Sequence, residues 1–337
     1  MSGQWYPGFF EDEPPKHLVG IARLASLGES LDEGHKVEYF SLPAQSLLNK
    51  CDAARMPFTW TINPYRGCEF ACKYCYARYT HEFMEMHDGL EFERKIYVKQ
   101  NAGWLLRRDL KKVKSGQSIA IGTATDPYQP AERRFGMTRS ILEELANHSG
   151  FDVSIISKSD MILRDLELFQ KIAAQNNLSI NLTVTTLDAE LARLLEPRAP
   201  RPDLRLNAVR KFNDAGLRAG VAIAPVLPAI TDSPKQLDAL VKAAAQARAQ
   251  WIFANPLFLK PCSTKVFMPF LAEHFPALVE SYKQRFANSA FLPAAYKKQI
   301  STLVRKFKSK HGIAEMRTIS SATPPQQPRE EQLALFQ

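Results

Sequence analysis

The chain has 337 residues, 45% of them hydrophobic, with 44 Lys or Arg against 35 Asp or Glu, a formal charge of +9. That length suits one large domain or two modest ones, and the apolar share is ample for a packed core, so an intrinsically disordered or fibrous chain is excluded. No apolar run approaches the ~18 residues of a membrane span. With no export-type h-region and only five cysteines, the composition argues against a disulfide-stapled secreted scaffold; a reducing cytoplasm, away from any membrane, is the expected setting.

In chain order, residues 1–55 have weak periodicity and early prolines, which predicts an irregular leader packed on the core. From residue 56 strands alternate with helices. The predicted strands are Phe58–Ile62, Ser118–Ile121, Val153–Ser157, Ile180–Thr185, Arg218–Ala224 and Trp251–Asn255, each short, apolar or β-branched and bounded by turn formers. Helices are predicted near 102–114, 136–148, 161–175, 203–215 and 234–248, with Asp160 and Ser233-Pro234 as starts and Gly216 as a stop. Six such units imply an α/β core over 56–275 with a parallel sheet and right-handed crossovers, too few to close a barrel of about eight strands. The alternation alone allows a doubly wound sheet as readily as a partial barrel. Either way, function gathers at the carboxyl ends of the strands.

Residues 276–318 read as a basic helical extension. Within 283–310 lie Lys283, Arg285, Lys297, Lys298, Arg305, Lys306, Lys308 and Lys310 with no acid among them, which fits a solvated helix face or a contact with a polyanion. Residues 319–337 read as a disordered tail, Ser/Thr/Pro/Gln-rich over Ser320–Arg329.

The chemistry is carried by Cys68, Cys72 and Cys75, spaced C-x3-C-x2-C directly after the first core strand. Three thiolates so spaced can hold three corners of a [4Fe–4S] cubane, leaving the fourth iron open to bind a small molecule. A structural zinc site would need a fourth ligand, for which Cys51, His81 or His87 would have to serve. Cys262 reads as a small core residue.

This spacing, with Tyr74 just before the third cysteine, resembles the radical S-adenosylmethionine (SAM) enzymes. The resemblance implies a partial (β/α)6 TIM-like barrel, a [4Fe–4S] cluster and SAM as cofactors, an electron donor such as flavodoxin or ferredoxin, and reductive cleavage of SAM to a 5′-deoxyadenosyl radical that abstracts hydrogen from substrate. The run Thr125-Asp126-Pro127-Tyr128-Gln129-Pro130-Ala131-Glu132, with Cys75-Tyr76-Ala77-Arg78 followed by Thr80-His81-Glu82, is similar to the spore photoproduct lyase-like branch over roughly residues 56–275. Asp126, Tyr128 and Gln129 are therefore expected at the boundary of SAM and substrate, in a catalytic role. Tyr74 is expected against the adenine end of SAM, and Lys158, in Ile156-Ser157-Lys158-Ser159, at its carboxylate. Thr183 and Thr185 share a face of the fourth strand by the period-two rule and are expected to bond SAM if that face points inward. Glu196 and Arg198, in Glu196-Pro197-Arg198, echo an element near the SAM site. The branch's donor cysteine has no counterpart here, which counts against thymine-dimer reversal itself.

The chain ends Glu330-Glu331-Gln332-Leu333-Ala334-Leu335-Phe336-Gln337, and Gln332, Leu333, Leu335 and Phe336 are similar to the pentapeptide by which bacterial replication and repair proteins bind the sliding clamp. Joined to the basic segment, it makes DNA the expected substrate, for lesion repair or lyase-like base modification. Alternatives from the same residues are radical chemistry on RNA, protein or a small molecule, and an iron–sulfur module that binds nucleic acid without turnover.

Overall fold

The computed structural model describes residues 18–34, 36–51 and 56–313. The tail from 319, with Gln332–Phe336, lies outside them. Among the described residues eleven strands form two sheets: β1 (Ser30–Gly34), β2 (Val37–Ser41), β3 (Leu48–Lys50), β4 (Trp60–Ile62), β5 (Tyr65–Arg66), β6 (Lys95–Val98), β7 (Ser118–Ile121), β8 (Asp152–Ser157), β9 (Asn177–Thr183), β10 (Ala219–Val226) and β11 (Ile252–Pro256).

The larger sheet runs β11-β10-β9-β8-β7-β4-β3. Its first six members are parallel, and β3 adds an antiparallel edge. The order is linear and the ends do not pair, so the six β/α units form a partial barrel and not a closed one. All six predicted strands are present, shifted by no more than a few residues. They are legible because one face of each strand is apolar: Ile119 and Ile121, Val153 and Ile155, Ile180 and Leu182, and Val221 and Ile223 alternate into one core cluster shared with the helices.

The helices keep their predicted order, as Ala102–Leu110, Met137–Leu145, Leu166–Ala173, Pro202–Asp214 and Pro234–Gln246. Ser233 caps the last through a capping box with Gln236. Gly216, at φ +79°, ends the fourth. The stretch from Asp160 begins as a 3-10 turn, and Ser159 supplies its cap by accepting from the Met161 N–H.

One expectation needs correction. Within the leader, the described residues are not irregular: a helix, Gly20–Ser26, precedes β1 and β2, and these join β6 and β5 in a second sheet of order β1-β2-β6-β5. Val37, Tyr39 and Ser41 alternate inward, but β2 pairs in parallel with β6, more than fifty residues on, a partner no local pattern discloses. In the stretch expected to form a basic helical extension, the helix Ala294–Lys310 packs on the core. Ile300, Val304 and Phe307 enter the main core, while Lys297, Lys298, Arg305 and Lys306 stay exposed.

Candidate active site

The loop after β4 and β5 carries the three cysteines, and each is fixed by its backbone. The Cys68 N–H donates to Phe92 O at 2.9 Å, and the Cys75 N–H to Cys72 O at 3.2 Å. Arg78 donates to Cys72 O at 2.9 Å and to Glu93 Oε2 at 2.6 Å, and Ser263 Oγ donates to Cys75 O at 2.8 Å. Around the thiols stand Phe70, Leu195, Leu227 and Ile230. Burial, reinforced by nearby negative charge, pushes the Cys68 thiol well up, and burial likewise carries Cys72 to about 12. Mutual repulsion is among the causes, so the three sulfurs share one pocket.

Such a donor set fits a cluster that takes three thiolates and returns positive charge. Among the described residues no three His, Cys, Asp or Glu side chains are grouped as ligands of one ion, and the fourth ligands imagined for zinc are elsewhere. His81 lies against Phe92 and Tyr97 with Nε2 on Lys95 O. His87 is exposed beside Glu85, and the Cys51 N–H donates to Thr59 O. Cys262 is buried, at the start of the helix Pro261–His274.

Beside the thiols is a buried polar network. The Tyr74 hydroxyl donates to Glu196 Oε1 and meets Thr185 Oγ1 at 3.2 Å, and Thr185 donates to the same Glu196 oxygen at 2.9 Å. Arg205 pairs with Glu196 Oε2 at 2.5 Å and donates from Nη1 to Thr183 O at 3.0 Å. Glu196 and Arg205 are each 1% exposed. Burial opposes the Glu196 charge, but Arg205, Lys158 and the Tyr74 hydroxyl outweigh it and hold the carboxyl below its usual range. Lys158 Nζ lies 5.9 Å from the centre of the Tyr74 ring. Burial works against its charge too, but Cys72 and Glu196 raise its affinity for a proton overall. Tyr74, Lys158, Thr185 and Glu196 are thus brought together next to Cys72, with Thr183 contributing its carbonyl. Arg198 is not part of the group: its N–H donates to Phe70 O at 3.4 Å and its charge acts on Glu69. Arg205 takes the place expected of Arg198.

The T-D-P-Y-Q-P-x-E run is a buttress. Gln129, fully buried, donates to Gly67 O at 3.1 Å and Thr125 Oγ1 at 2.8 Å and accepts the Glu69 N–H at 2.9 Å. Tyr128, 1% exposed, donates to Asp165 Oδ2 at 2.9 Å. Glu132 accepts from Tyr65, from the Thr138 and Arg139 N–H groups and from Arg164. The polar atoms of Tyr128 and Gln129, expected at the boundary of SAM and substrate, are engaged here by the protein. Asp126 sits closer to the chemistry. Its carboxylate accepts from Ser157 Oγ at 2.7 Å and from the Lys158 N–H at 2.7 Å, and its own N–H is directed at Cys68.

Glu69, between the first two cysteines, accepts from Tyr39 at 3.0 Å and from the Ala131 N–H at 2.7 Å. The leader thus holds the cysteine loop through β2. Arg78, Glu69, Arg205 and Ser263 were not singled out from the sequence. Arg78 and Glu69 stand inside or beside the cysteine motif, where their position was a usable signal; Arg205 and Ser263 carry none.

Comparison with known proteins agrees with this geometry. The family model described as the Radical SAM superfamily matches residues 62–241. An uncharacterized protein of Mycobacterium tuberculosis, Rv2578c, is 36% identical over 280 residues, 82% of each chain. Another from Methanocaldococcus jannaschii, MJ0683, is 30% identical over 199 residues, 58% of this chain and 71% of that protein. Among solved structures, a spore photoproduct lyase variant with bound AdoMet and dinucleoside spore photoproduct superposes with a TM-score of 0.60 at 13% identity, covering 89% of this chain and 84% of the other. At that identity the likeness is one of fold.

Proposed function

From the premise that this chain belongs to the radical SAM superfamily, we propose an enzyme that cleaves SAM reductively and applies the radical to DNA, in lesion repair or lyase-like base modification. The family implies SAM and a [4Fe–4S] cluster. When bound, the cluster supplies the electron that splits SAM into methionine and the hydrogen-abstracting 5′-deoxyadenosyl radical. The observation that carries the reading is the placement of a charged, buried polar network (Tyr74, Thr185, Glu196, Arg205 and Lys158) against three thiols in one apolar pocket.

In this reading Cys68, Cys72 and Cys75 hold the cluster. Lys158 takes the SAM carboxylate, and Tyr74 covers the cofactor's adenine end while its hydroxyl is fixed by Glu196. Thr183 and Thr185 line the wall, and Asp126 spans the ends of β7 and β8 with its N–H on Cys68. Tyr128 and Gln129 position that loop. Support for DNA comes from the exposed basic face of the C-terminal helix, from the spore photoproduct bound in the superposable lyase, and from the clamp-like Gln332-Leu333-Ala334-Leu335-Phe336. A flavodoxin- or ferredoxin-type donor would supply the electron.

Anaerobic reconstitution with iron, sulfide, reductant and SAM tests the reaction class without the substrate. The expected result is a [4Fe–4S] absorbance that Cys72→Ala abolishes, and release of 5′-deoxyadenosine, increased by DNA. An intact cluster that yields no 5′-deoxyadenosine even with DNA present would overturn the catalytic reading in favour of a non-catalytic binding module.

A further inference from the structure

Lys99 directly follows β6 and is only 6% exposed. Its N–H donates to Pro64 O at 3.2 Å, but among the described residues its ammonium has no hydrogen bond or ion pair. Burial and the charge of Arg66 push it down to about 7. Arg66, on β5, donates from Nη1 to Thr80 O at 3.3 Å and leaves a buried Nε without a partner. Its charge also bears on His81, whose buried Nδ1 is likewise unpartnered. Among the described residues, two cations and an imidazole thus converge with no acid paired to them, an arrangement that a bound anion would relieve.

Thr80, which Arg66 reaches, directly follows Tyr79, and Tyr79 belongs to a ladder of rings. Phe83 meets Tyr79 edge-on at 5.7 Å, and Tyr79 stacks on Tyr76 at 6.5 Å. Tyr76 packs on Phe258 at 4.9 Å, and Phe258 stacks on Phe291 at 5.3 Å. Lys260 Nζ lies 3.5 Å from the centre of the Tyr79 ring. The ladder starts at the site, since Tyr76 follows Cys75 and its hydroxyl donates to Thr123 O, on the loop after β7. Its two ends are exposed, Phe83 by 59% and Phe291 by 65%, and Phe291 leads into the basic helix. Cations beside sequence-tolerant stacking faces are what a single nucleic-acid strand requires.

We propose that this mouth of the sheet is a binding strip for single-stranded or extruded DNA, in which Arg66 and Lys99 take a backbone phosphate and the exposed end rings, Phe83 and Phe291, stack neighbouring bases. The inference rests on the DNA reading given above and adds the surface that would present the strand to the cluster pocket.

Fluorescence anisotropy of a labelled single-stranded oligothymidine with the reconstituted full chain, without SAM and over a salt series, tests it. Lys99→Met should weaken binding about tenfold and lower the salt slope by about 1, as loss of one phosphate contact does. Phe291→Ala should weaken it about tenfold with the slope unchanged, the mark of lost stacking. Trp104→Ala, which removes a ring 62% exposed on the helix Ala102–Leu110, should change neither. Wild-type affinity in both Lys99→Met and Phe291→Ala would overturn the strip and leave the DNA reading standing. Failure of the unaltered protein to bind the oligonucleotide would overturn both, and tighter binding of the matching ribo-oligonucleotide would overturn the assignment to DNA.

Discussion

Glu196 organises the polar half of the site. A carboxylate 1% exposed is tolerated only where its charge is answered. Here Arg205 answers it at 2.5 Å, and Tyr74 and Thr185 satisfy the other oxygen. The arrangement fixes the Tyr74 ring beside the thiols and leaves Lys158 as the cation able to meet an incoming carboxylate. Arg205→Met should therefore cost about 3–5 kcal/mol, because it strands a buried charge. Adding Glu196→Gln should recover much of that loss, since the stranded carboxylate is then gone. Chemical denaturation of the two single variants and the double variant measures the coupling. A double variant as unstable as the sum of the singles would mean that the two residues act independently. The sequence gives no hint of this pair: Arg205 sits in a helix rich in polar residues and reads like any solvent-facing arginine, while Arg198, two residues from Glu196, looks the better partner.

At the scale of elements, the cysteine loop is held from three sides: by the short helix Glu91–Arg94 before β6 through Phe92 O, by the buttress loop through Gln129 and Thr125, and by β2 through Tyr39. Gly67 is where these grips converge. Its φ is +84°, and a Cβ there would meet Lys95 O at 2.7 Å and Phe92 O at 2.9 Å, both backbone atoms that cannot swing away. Gly67→Ala should thus displace Cys68 and lower both iron per chain after reconstitution and the thermal midpoint; unchanged iron content would show the loop to be more compliant than its contacts imply. The same element shows what sequence discloses and what it hides. Residue type and spacing marked the cysteines, and the apolar runs marked the strands, because each signal is local. The roles inside Thr125–Glu132 were hidden, because a buried buttress and a substrate contact use the same letters: Gln129 and Tyr128 looked catalytic and are turned into the protein. The leader was hidden because β2 acquires its meaning only from β6.

On the scale of the whole molecule, the chain separates tasks along its length. The partial barrel supplies the pocket, the C-terminal helix closes the β11 side of the core with its apolar face and turns lysines outward, and Gln332–Phe336 follows a polar, proline-bearing stretch. If that peptide binds the sliding clamp, it adds no contact to the active site. It would raise the local concentration of DNA for a pocket whose own affinity, if DNA is the proposed substrate and phosphate contacts set it, falls steeply with salt. Deleting Gln332–Phe336 should therefore abolish retention on immobilised clamp while leaving unchanged both 5′-deoxyadenosine formation and binding of a short free oligonucleotide. Retention that survives the deletion would remove the clamp from this scheme, and a fall in 5′-deoxyadenosine would mean that the tail takes part in building the pocket. If tethering and chemistry are divided in this way, the deletion is the one combination in which tethering fails and chemistry does not.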